Sequence, residues 1–448
     1  SKDRFTFTLP ECIMEAYSVC LFLRPADDHF AKGNRPMKTK KKLTFRKLLP
    51  ILLLTIFCVS AAAALIPRVP PAPQSVESVA ELEAYLKDLT AAGNPPSLSL
   101  VVVKDGRTIY SRSVGLADGP AGIAATEDTV YHWWSTTKMF TATAVFQLAD
   151  AGLLNLDDPV VDYLPFFKVE YPSPDSAPVT IRHLLNHSSG LPDNVPAVVG
   201  WMHFEGEADF DQTALLKRVL PDYSKLLFEP GSQSRYTNVG YMVLGAVIEA
   251  VSGQTYEDYV RVHILQPLGM QRTDFVYTDA MRANAAAGMH PLLDIQSAFL
   301  PFYYHGRLRD LVREVKDGQM WTNRLLADSN PPTGLIGPAD DLARFVTAHL
   351  NGGELDGQRV LSQASVEQMM LDSFVPASGG QVDTSLQGLG WEICGQGTDL
   401  CLEHGGGGPG FGSAIRLYPE RSLGIVITAN STNIDRDGLL DLVAGMDW

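Results

Sequence analysis

The sequence predicts a mixed α/β protein whose antiparallel sheet is built from strands near both ends of the chain. The stretch "LSLVVVKDGRTIYSRSVG" has the pattern of a hairpin, with Asp105-Gly106 as its turn. Strand-like segments return near the other end, in "GLGWEIC", "LCLEHG" and "GSAIRLYPERSLGIVITAN". The segments between them are mostly helical in pattern, which predicts a sheet flanked by helices and a second, mostly helical lobe.

Several segments show the apolar spacing of helices. A helix is predicted before the first strand, in "SVESVAELEAYLKDLTAAG", and a closing helix in "DRDGLLDLVAGM". Two apolar helices are predicted in the middle of the chain, in "KMFTATAVFQLADAGLL" and "NVGYMVLGAVIEAVSG". The stretch from Asp274 to Asn330 is rich in aromatic and loop residues and has no clear pattern.

The N-terminal part of the chain differs from the rest. Residues 37–66 begin with a basic segment, continue as an apolar run and end in "SAAAA", which is the pattern of a cleaved signal peptide. The run is long enough that an uncleaved membrane anchor is the alternative. Residues 1–36 do not fit this plan and are interpreted as a non-native or mis-started extension. Residues 67–75 form a Pro-rich linker, and residues 76–448 form one folded domain, which is expected outside the cytoplasm.

The charge of the folded part excludes one class of partner. The whole chain has a formal net charge of -15, and its basic residues are concentrated before residue 67. Because phosphate contacts depend on Lys and Arg, so acidic a body is a poor candidate for binding nucleic acid. The expected partner is a small-molecule substrate, and membrane association is expected only through the N-terminal apolar segment.

Two cysteines remain in the folded part. Cys394 and Cys401 flank "GQGTDL", which is interpreted as a turn between two strands. In an exported protein such a facing pair can form a disulfide, which we favour over two buried thiols.

One short motif suggests nucleophilic catalysis. In "YHWWSTTKMFTATAV", Ser135 lies at the start of a helix and Lys138 lies one turn later on the same face. A serine hydroxyl is a weak nucleophile and needs a neighbouring base, and a helix N-terminus supplies N–H groups suited to an oxyanion. Taken alone, the short motif favours a helix-capping serine and a solvated lysine over catalysis.

Two further segments support the catalytic interpretation. The stretch "SRYTNVGYMVLG" contains Tyr236 and Asn238; a tyrosine whose pKa is lowered by a lysine can act as a base, and an Asn amide can orient a carbonyl. The alternative there is that Asn238 only caps the helix. In "LEHGGGGPGFG", His404 ends a strand and the glycines allow another backbone to approach closely.

Together these segments resemble the family of penicillin-binding proteins and serine β-lactamases, specifically its class C-like branch. That family has S-x-x-K, then Y-x-N, then a strand motif K/H-x-G, in this order. Further segments resemble the family over about residues 77–446, among them "IRHLLNHSSGLPD", "LQPLGMQRTDF" and "PTGLIGPADDLARFV". The resemblance implies a sheet domain and a helical lobe with the active site between them.

The resemblance also implies a role for each motif residue. Ser135 would be the acylated nucleophile, Lys138 its proton partner and Tyr236 the base for acylation and deacylation, although lysine or tyrosine as the base is left open. Substrate-binding roles would fall to Asn238, His404, Gly406 and Gly407. The oxyanion hole would be formed by the N–H groups of Ser135 and Gly407.

One departure from the family pattern affects the expected substrate. His404-Gly405-Gly406 stands where most relatives have Lys-Thr-Gly. The change removes a hydroxyl donor, and a histidine is largely neutral near pH 7, so an anionic drug carboxylate would be held less firmly. We therefore expect a carboxylesterase first, a D-amino-acid peptidase or carboxypeptidase second, and a β-lactamase third.

Other functions have weaker support. His183 and His187 are spaced like zinc ligands, but Leu184 stands where H-E-x-x-H needs its glutamate, so no metal is expected. The sequence has no G-x-S-x-G elbow, P-loop or dinucleotide motif, and no organic cofactor is expected. The rival of another class is a non-catalytic penicillin-recognising binding protein that retains the fold.

Overall fold

The structure is a computed structural model that describes residues 73–193, 201–207, 210–292, 294, 297, 300, 307–372, 386–395 and 397–448. The predicted extension, signal segment or anchor, and most of the Pro-rich linker lie outside the described residues. Within the described ranges, no helix combines the length and the apolar character needed to cross a bilayer.

The strands of the described residues are numbered in chain order. They are β1 Ser97–Lys104, β2 Arg107–Asp118, β3 Ile123–Ala124, β4 Tyr131–His132, β5 Met202–Phe204, β6 Met289–Pro291, β7 Val312–Lys316, β8 Gln319–Thr322, β9 Leu325–Ala327, β10 Ile336–Gly337, β11 Glu354–Leu355, β12 Gln358–Arg359, β13 Leu386–Gln387, β14 Glu392–Cys394, β15 Cys401–Gly408, β16 Phe411–Tyr418 and β17 Leu423–Ala429.

The helices are numbered in the same way. They are α1 Val79–Ala91, α2 Lys138–Asp150, α3 Val160–Tyr163, α4 Ile181–Leu185, α5 Gln212–Val219, α6 Asn238–Ser252, α7 Tyr256–Val260, α8 Asp279–Asn284, α9 Leu308–Leu311, α10 Asn330–Thr333, α11 Ala339–Leu350, α12 Gln363–Leu371 and α13 Arg436–Ala444. A 3₁₀ turn at Trp134–Thr137 precedes α2, and a π-helical turn at Arg261–Leu265 follows α7.

The main sheet joins the two ends of the chain. Its strand order is β13-β14-β15-β16-β17-β1-β2-β3, and its strand pairs are antiparallel. The first strand lies against the last one, with Leu98 opposite Ala429 and Lys104 opposite Leu423. This arrangement confirms the predicted sheet of N- and C-terminal strands. The predicted hairpin is also confirmed, with Asp105 and Gly106 in the left-handed conformation that its tight turn requires.

The central strands are apolar on both faces because helices cover both sides of the sheet. Along β1, Leu98, Leu100 and Val102 pack with α1 and α13, whereas Val101 and Val103 belong to the larger core shared with the helical lobe. Side chains alternate between the faces of a strand, so one apolar run supplies two hydrophobic layers. The sheet is therefore the middle layer of the sheet domain.

The helical lobe is organised around α2 and α6, which are buried on nearly all sides. A helix without a polar face has to lie inside the protein, and these two pack against each other and against α10. Buried residues of α2 include Lys138, whose side chain is 0% exposed. The unassigned stretch from Asp274 to Asn330 contributes short elements, including a small sheet of order β6-β8-β7.

The predicted cysteine pair is a disulfide. Cys394 ends β14 and Cys401 begins β15, where the two residues lie opposite each other in the sheet. The disulfide links β14 covalently to β15, the strand that contains His404.

Candidate active site

The turn that contains Ser135 is held in a strained conformation. Trp134, directly before it, has φ 49°, a value that bulky side chains rarely adopt. Trp133 Nε1 donates to Gly337 O at 2.9 Å, and Ser413 Oγ donates to Trp133 O at 2.6 Å. These anchors, together with burial of both tryptophans, fix the turn against the sheet.

The glycine run of β15 lets the turn approach the strand closely. A Cβ at Gly406 would overlap the carbonyl oxygen of Trp133, and one at Gly408 would overlap the ring of Trp134. Close backbone approach therefore explains Gly406, as the sequence predicted, whereas Gly408 leaves room for the side chain of Trp134. At Gly407, by contrast, a Cβ would meet only ordinary contacts, at 3.9 Å. The oxyanion-hole role of Gly407 and Ser135 stays a prediction.

Lys138 is the centre of the site. Its Nζ donates to Ser135 Oγ at 3.1 Å, to Asn238 Oδ1 at 2.7 Å and to Pro332 O at 3.1 Å. Burial lowers the pKa of Lys138 to about 7, although the charges of Asp193 and Glu392 act in the opposite direction. A substantial fraction of this amine is therefore neutral near pH 7 and able to accept a proton.

The ring of Tyr236 packs against the amine of Lys138. The centroid of its ring is 4.7 Å from Lys138 Nζ, and its side chain hydrogen-bonds with Ser135. Burial raises the pKa of Tyr236 well above its ordinary value, and the hydrogen bond from Ser135 offsets only part of this. The sequence-based expectation that lysine lowers this pKa is wrong, because loss of hydration and the charges of Glu392 and Asp193 raise it. The phenol keeps its proton near neutral pH.

Asn238 presents its whole amide to the site. Sequence reasoning had left open that Asn238 caps the following helix, but Thr237 is the cap, with its hydroxyl accepting from Gly240 N, and Asn238 is the first residue of α6. Its Oδ1 accepts from Lys138, and its Nδ2 donates to Asp193 Oδ2 at 2.9 Å. Nδ2 carries a second N–H, which is suited to donate to a substrate carbonyl.

His404 lies across the cleft from Tyr236, with ring centroids 6.4 Å apart. Its Nδ1 is 2.9 Å from Gly405 O, so this nitrogen is assigned the proton. Burial and the charge on Lys138 lower the pKa of His404 to about 3. The imidazole is neutral at any pH near 7, as the sequence analysis expected, and does not serve as a cation.

A cavity of about 540 Å³ lies along this end of the cleft. Its lining contains Tyr236, His404, Gly405, Gly407 and Arg436 together with the carboxylates of Glu392, Glu403 and Asp437. Arg436 Nη1 donates to Gly406 O at 2.8 Å and to Ser413 O at 3.1 Å, and lies next to Gly405. The guanidinium thus occupies the space beside the position where relatives have a hydroxyl residue.

His183 and His187 each accept a hydrogen bond from the backbone. Helix α4 ends at Leu185, so His187 lies beyond it and the two rings do not share a helix face. His187 Nδ1 accepts from Thr237 N at 3.2 Å, and its ring lies 4.5 Å from that of Tyr236. Among the described residues, no group of three or more His, Cys, Asp or Glu side chains is arranged to hold a metal ion.

Sequence reasoning did not find four of the contacts that shape the site. They come from Pro332, Asp193, Arg436 and Ser413. Pro332 acts through a backbone carbonyl, which any residue could supply, and the others lie far along the chain from the residues they contact. Only the family-like segment "SGLPD" could have drawn attention to Asp193.

Comparison with known proteins agrees with this geometry. A profile of the family described as Beta-lactamase matches residues 82–445. Penicillin-binding protein 4 of Amycolatopsis lactamdurans is 30% identical over 369 residues, which cover 78% of this chain and 86% of that protein. Protein flp of Staphylococcus aureus (strain MW2) is 25% identical over 354 residues, 79% of this chain, and the match spans 63% of the length of flp.

A solved structure gives the same result. The octameric penicillin-binding protein homologue from Pyrococcus abyssi superposes with a TM-score of 0.65 at 25% identity, over 83% of this chain and 78% of that one. Fold and site together define the class of protein, which combines a sheet domain and a helical lobe with a hydrogen-bonded Ser135–Lys138 pair. Within that class, the chain belongs to the β-lactamase family.

Proposed function

We propose that the protein hydrolyses ester or amide bonds through an acyl-enzyme on Ser135, and that its first substrates are uncharged carboxylic esters. One observation carries the proposal. The buried amine of Lys138, whose pKa is about 7, lies 3.1 Å from Ser135 Oγ. Such an amine can remove the hydroxyl proton at neutral pH, which a solvated lysine cannot do.

Acylation would begin at this pair. Lys138 takes the proton of Ser135, and Oγ bonds to the acyl carbon while the carbonyl π electrons move to oxygen. The tetrahedral intermediate collapses, the bond to the leaving alcohol or amine breaks, and that group takes up a proton. Tyr236 is suited to pass this proton from Lys138, because its phenol stays protonated and hydrogen-bonds with Ser135.

Deacylation would repeat the sequence with water. Lys138, neutral again after the leaving group has taken the proton, removes a proton from water, either directly or through Tyr236. The resulting hydroxide attacks the acyl carbon, and Ser135 leaves with the proton returned to it. The products are a carboxylic acid and the free enzyme. The N–H groups of Ser135 and Gly407 are proposed to stabilise both oxyanions.

The cavity favours an uncharged substrate. Its lining holds three carboxylates, from Glu392, Glu403 and Asp437, against the guanidinium of Arg436, and Glu403 is also paired with Arg416. His404 adds no positive charge, because its pKa is about 3, and Gly405 has no hydroxyl. The net negative charge of the cavity would repel an anionic leaving group, whereas it would not repel the uncharged group of a neutral ester.

Arg436 favours a second candidate function. Its guanidinium lies beside Gly405 on the cavity wall, where it could hold the terminal carboxylate of a D-amino-acid peptide. Hydrolysis of a β-lactam, which also has a carboxylate, ranks third, since it would depend on the same guanidinium alone.

A substrate panel tests the proposal. Purified protein is given p-nitrophenyl butyrate, a D-Ala-D-Ala peptide and nitrocefin, alongside Ser135→Ala and the matched surface variant Ser224→Ala. We expect the butyrate to be the best substrate, Ser224→Ala to match the wild type and Ser135→Ala to lose turnover with its fold intact. Undiminished turnover in Ser135→Ala would refute the nucleophile, and absence of turnover on the whole panel would favour the non-catalytic binding protein.

We further propose that the protein is exported. The support is the basic, apolar and alanine-rich order of residues 37–66, and the Cys394–Cys401 disulfide, a bond found mainly in oxidising compartments. Cell fractionation and the mass of the purified mature chain test this. Recovery in the cytoplasm with residues 37–66 retained would contradict it, and recovery in the membrane would indicate an anchor.

A further inference from the structure

We infer that Asp193 is a positioning residue, which holds the amide of Asn238 in the orientation that directs the lone pair of Lys138 at Ser135. The inference rests on the proposed function, since it concerns how the proposed base is aimed. Asp193 is not one of the motif residues, and the sequence analysis assigns it no role.

Four side chains form a continuous chain of hydrogen bonds. Asp193 Oδ2 accepts from Asn238 Nδ2 at 2.9 Å, and Asn238 Oδ1 accepts from Lys138 Nζ at 2.7 Å. Lys138 Nζ in turn lies 3.1 Å from Ser135 Oγ. A base that is oriented by a third group is the arrangement that activates nucleophiles in other hydrolases.

The orientation of the amide decides what the amine can do. A neutral amine has two N–H bonds and one lone pair around its nitrogen. Asn238 Oδ1 and Pro332 O take the two N–H bonds, so the lone pair is left for the hydroxyl of Ser135. If the amide turned over, its NH₂ group would face the amine and compete for the lone pair.

Asp193 prevents that inversion because a carboxylate accepts and does not donate. Facing Asp193, only the NH₂ end of Asn238 makes a hydrogen bond, and the oxygen must then point to Lys138. Burial raises the pKa of Asp193, and its hydrogen bond with Asn238 and the backbone N–H groups of Asn238 and Val239 at the N-terminus of α6 offset part of this effect. Asp193 thus contacts α6 through the side chain of Asn238.

The pKa of Lys138 can distinguish a positioning role of Asp193 from a purely structural one, because it depends on the charges around the amine. Asp193 and Glu392 both raise the pKa of Lys138 against the lowering by burial. The other titratable groups facing the amine are neutral near pH 7: Tyr236, Tyr241, His187 and His404. Removing the charge of Asp193 therefore lowers the pKa of Lys138, and removing the charge of Glu392 lowers it as well.

The test compares three matched variants: Asp193→Asn, Glu392→Gln and, as a surface control, Asp157→Asn. In Asp193→Asn the plateau of kcat/KM should fall on the order of tenfold to a hundredfold, and its acidic limb should move to lower pH by about one unit. Glu392→Gln should move the limb in the same direction with a smaller loss of plateau. Asp157→Asn, which loses only a surface ion pair with Arg182, should match the wild type.

A second measurement keeps the inference testable without turnover. The pKa of Lys138 can be followed by NMR of ¹³Cε-labelled lysine, with Lys138→Met to assign the signal. A lower pKa in Asp193→Asn shows that Asp193 acts on the amine even if no substrate is found, in which case only the proposed function fails. An unchanged pKa, or a plateau equal to that of the wild type, would overturn the inference; a plateau loss with an unmoved limb would show that Asp193 is merely structural.

Discussion

At Lys138, the fold places a strongly hydrated group where water cannot reach it. Its side chain is 0% exposed and has Asn238 Oδ1 and Pro332 O as acceptors in place of water. Carbonyl oxygens satisfy N–H groups without requiring a charge, so the neutral amine is accommodated better than the ammonium. The lowered pKa of about 7 follows from this environment.

The first prediction concerns the pH dependence of activity. Because the neutral amine is the base, kcat/KM for p-nitrophenyl butyrate should fall as pH drops through about 7, following the protonation of Lys138. The matched variant Lys87→Arg, on the surface of α1, should show the same profile, and Lys138→Arg should be inactive. A rate independent of pH across this window would contradict lysine as the base.

The second prediction concerns stability. The folded-state pKa of Lys138 is lowered, so between about 7 and its ordinary value of 10.5 the unfolded chain binds more protons than the folded one. This group therefore contributes a free energy of unfolding that rises with pH in that window and stays constant below it. Urea unfolding at several pH values should show a shallower rise between pH 7 and 9 in Lys138→Met than in the wild type, and equal slopes would refute burial as the cause.

Some of the site could be predicted from residue spacing. Ser135 and Lys138 lie one turn apart, and helical geometry alone places them on one face. The protonation of Tyr236 could not be predicted, because it depends on how completely packing removes water from the phenol. Nor could the acceptor at Pro332, since a backbone carbonyl leaves no trace in residue type.

At the level of elements, the turn that contains Ser135 packs closely against β15 because Gly406 and Gly408 of that strand have no side chains. The third prediction is that Gly406→Ala lowers kcat/KM by about a hundredfold and destabilises the fold by about 2 kcal/mol, because its Cβ would displace Trp133 and with it Ser135. Enzyme assays and urea unfolding measure both effects.

The matched control for that variant is Gly445→Ala. Gly445 follows α13 with φ -76°, and a Cβ there would make ordinary contacts at 3.4 and 3.5 Å. We expect wild-type activity and stability. If Gly406→Ala behaved like Gly445→Ala, the close fit between turn and strand would not be needed.

The Cys394–Cys401 disulfide also stabilises the arrangement of the strands around the site. It links β14 to β15, which contain Glu392 and His404 respectively. The fourth prediction is that the double variant Cys394→Ser and Cys401→Ser loses about 2 kcal/mol of unfolding free energy, as expected for closing so short a loop. Urea midpoints of the wild type with and without reductant should differ in the same direction, and unchanged midpoints would contradict a stabilising bond.

The elements themselves were largely predictable where a local signal exists. The Asp105-Gly106 hairpin and the apolar helices α2 and α6 follow from turn chemistry and periodicity. The sequence does not decide which residue caps α6, because Thr237 and Asn238 are both good caps. In the structure Thr237 is the cap, and the side chain of Asn238 accepts a hydrogen bond from Lys138. The strands within 274–330 are short and show little alternation, so they carried no pattern.

At the scale of the whole molecule, β1 pairs with β17, so strands from early and late in the sequence lie side by side in one sheet. The site lies between this sheet domain and the helical lobe. The segments that supply the site are spread from Ser135 to Arg436, so their convergence depends on the sheet order rather than on local sequence. The sheet domain and lobe could be predicted because strands cluster at both ends. The acidic cavity could not, since Glu392, Glu403 and Asp437 meet only in the folded chain.

The measurement that most directly tests the central claim is mass spectrometry of the intact protein after rapid mixing with p-nitrophenyl butyrate and acid quenching. The account predicts a burst of one equivalent of p-nitrophenol and a protein heavier by one butyryl group. Peptide mapping should locate that group on Ser135, and Lys138→Met should show neither burst nor adduct. A butyryl group on another residue, or steady turnover in which Ser135 is never acylated, would contradict the account.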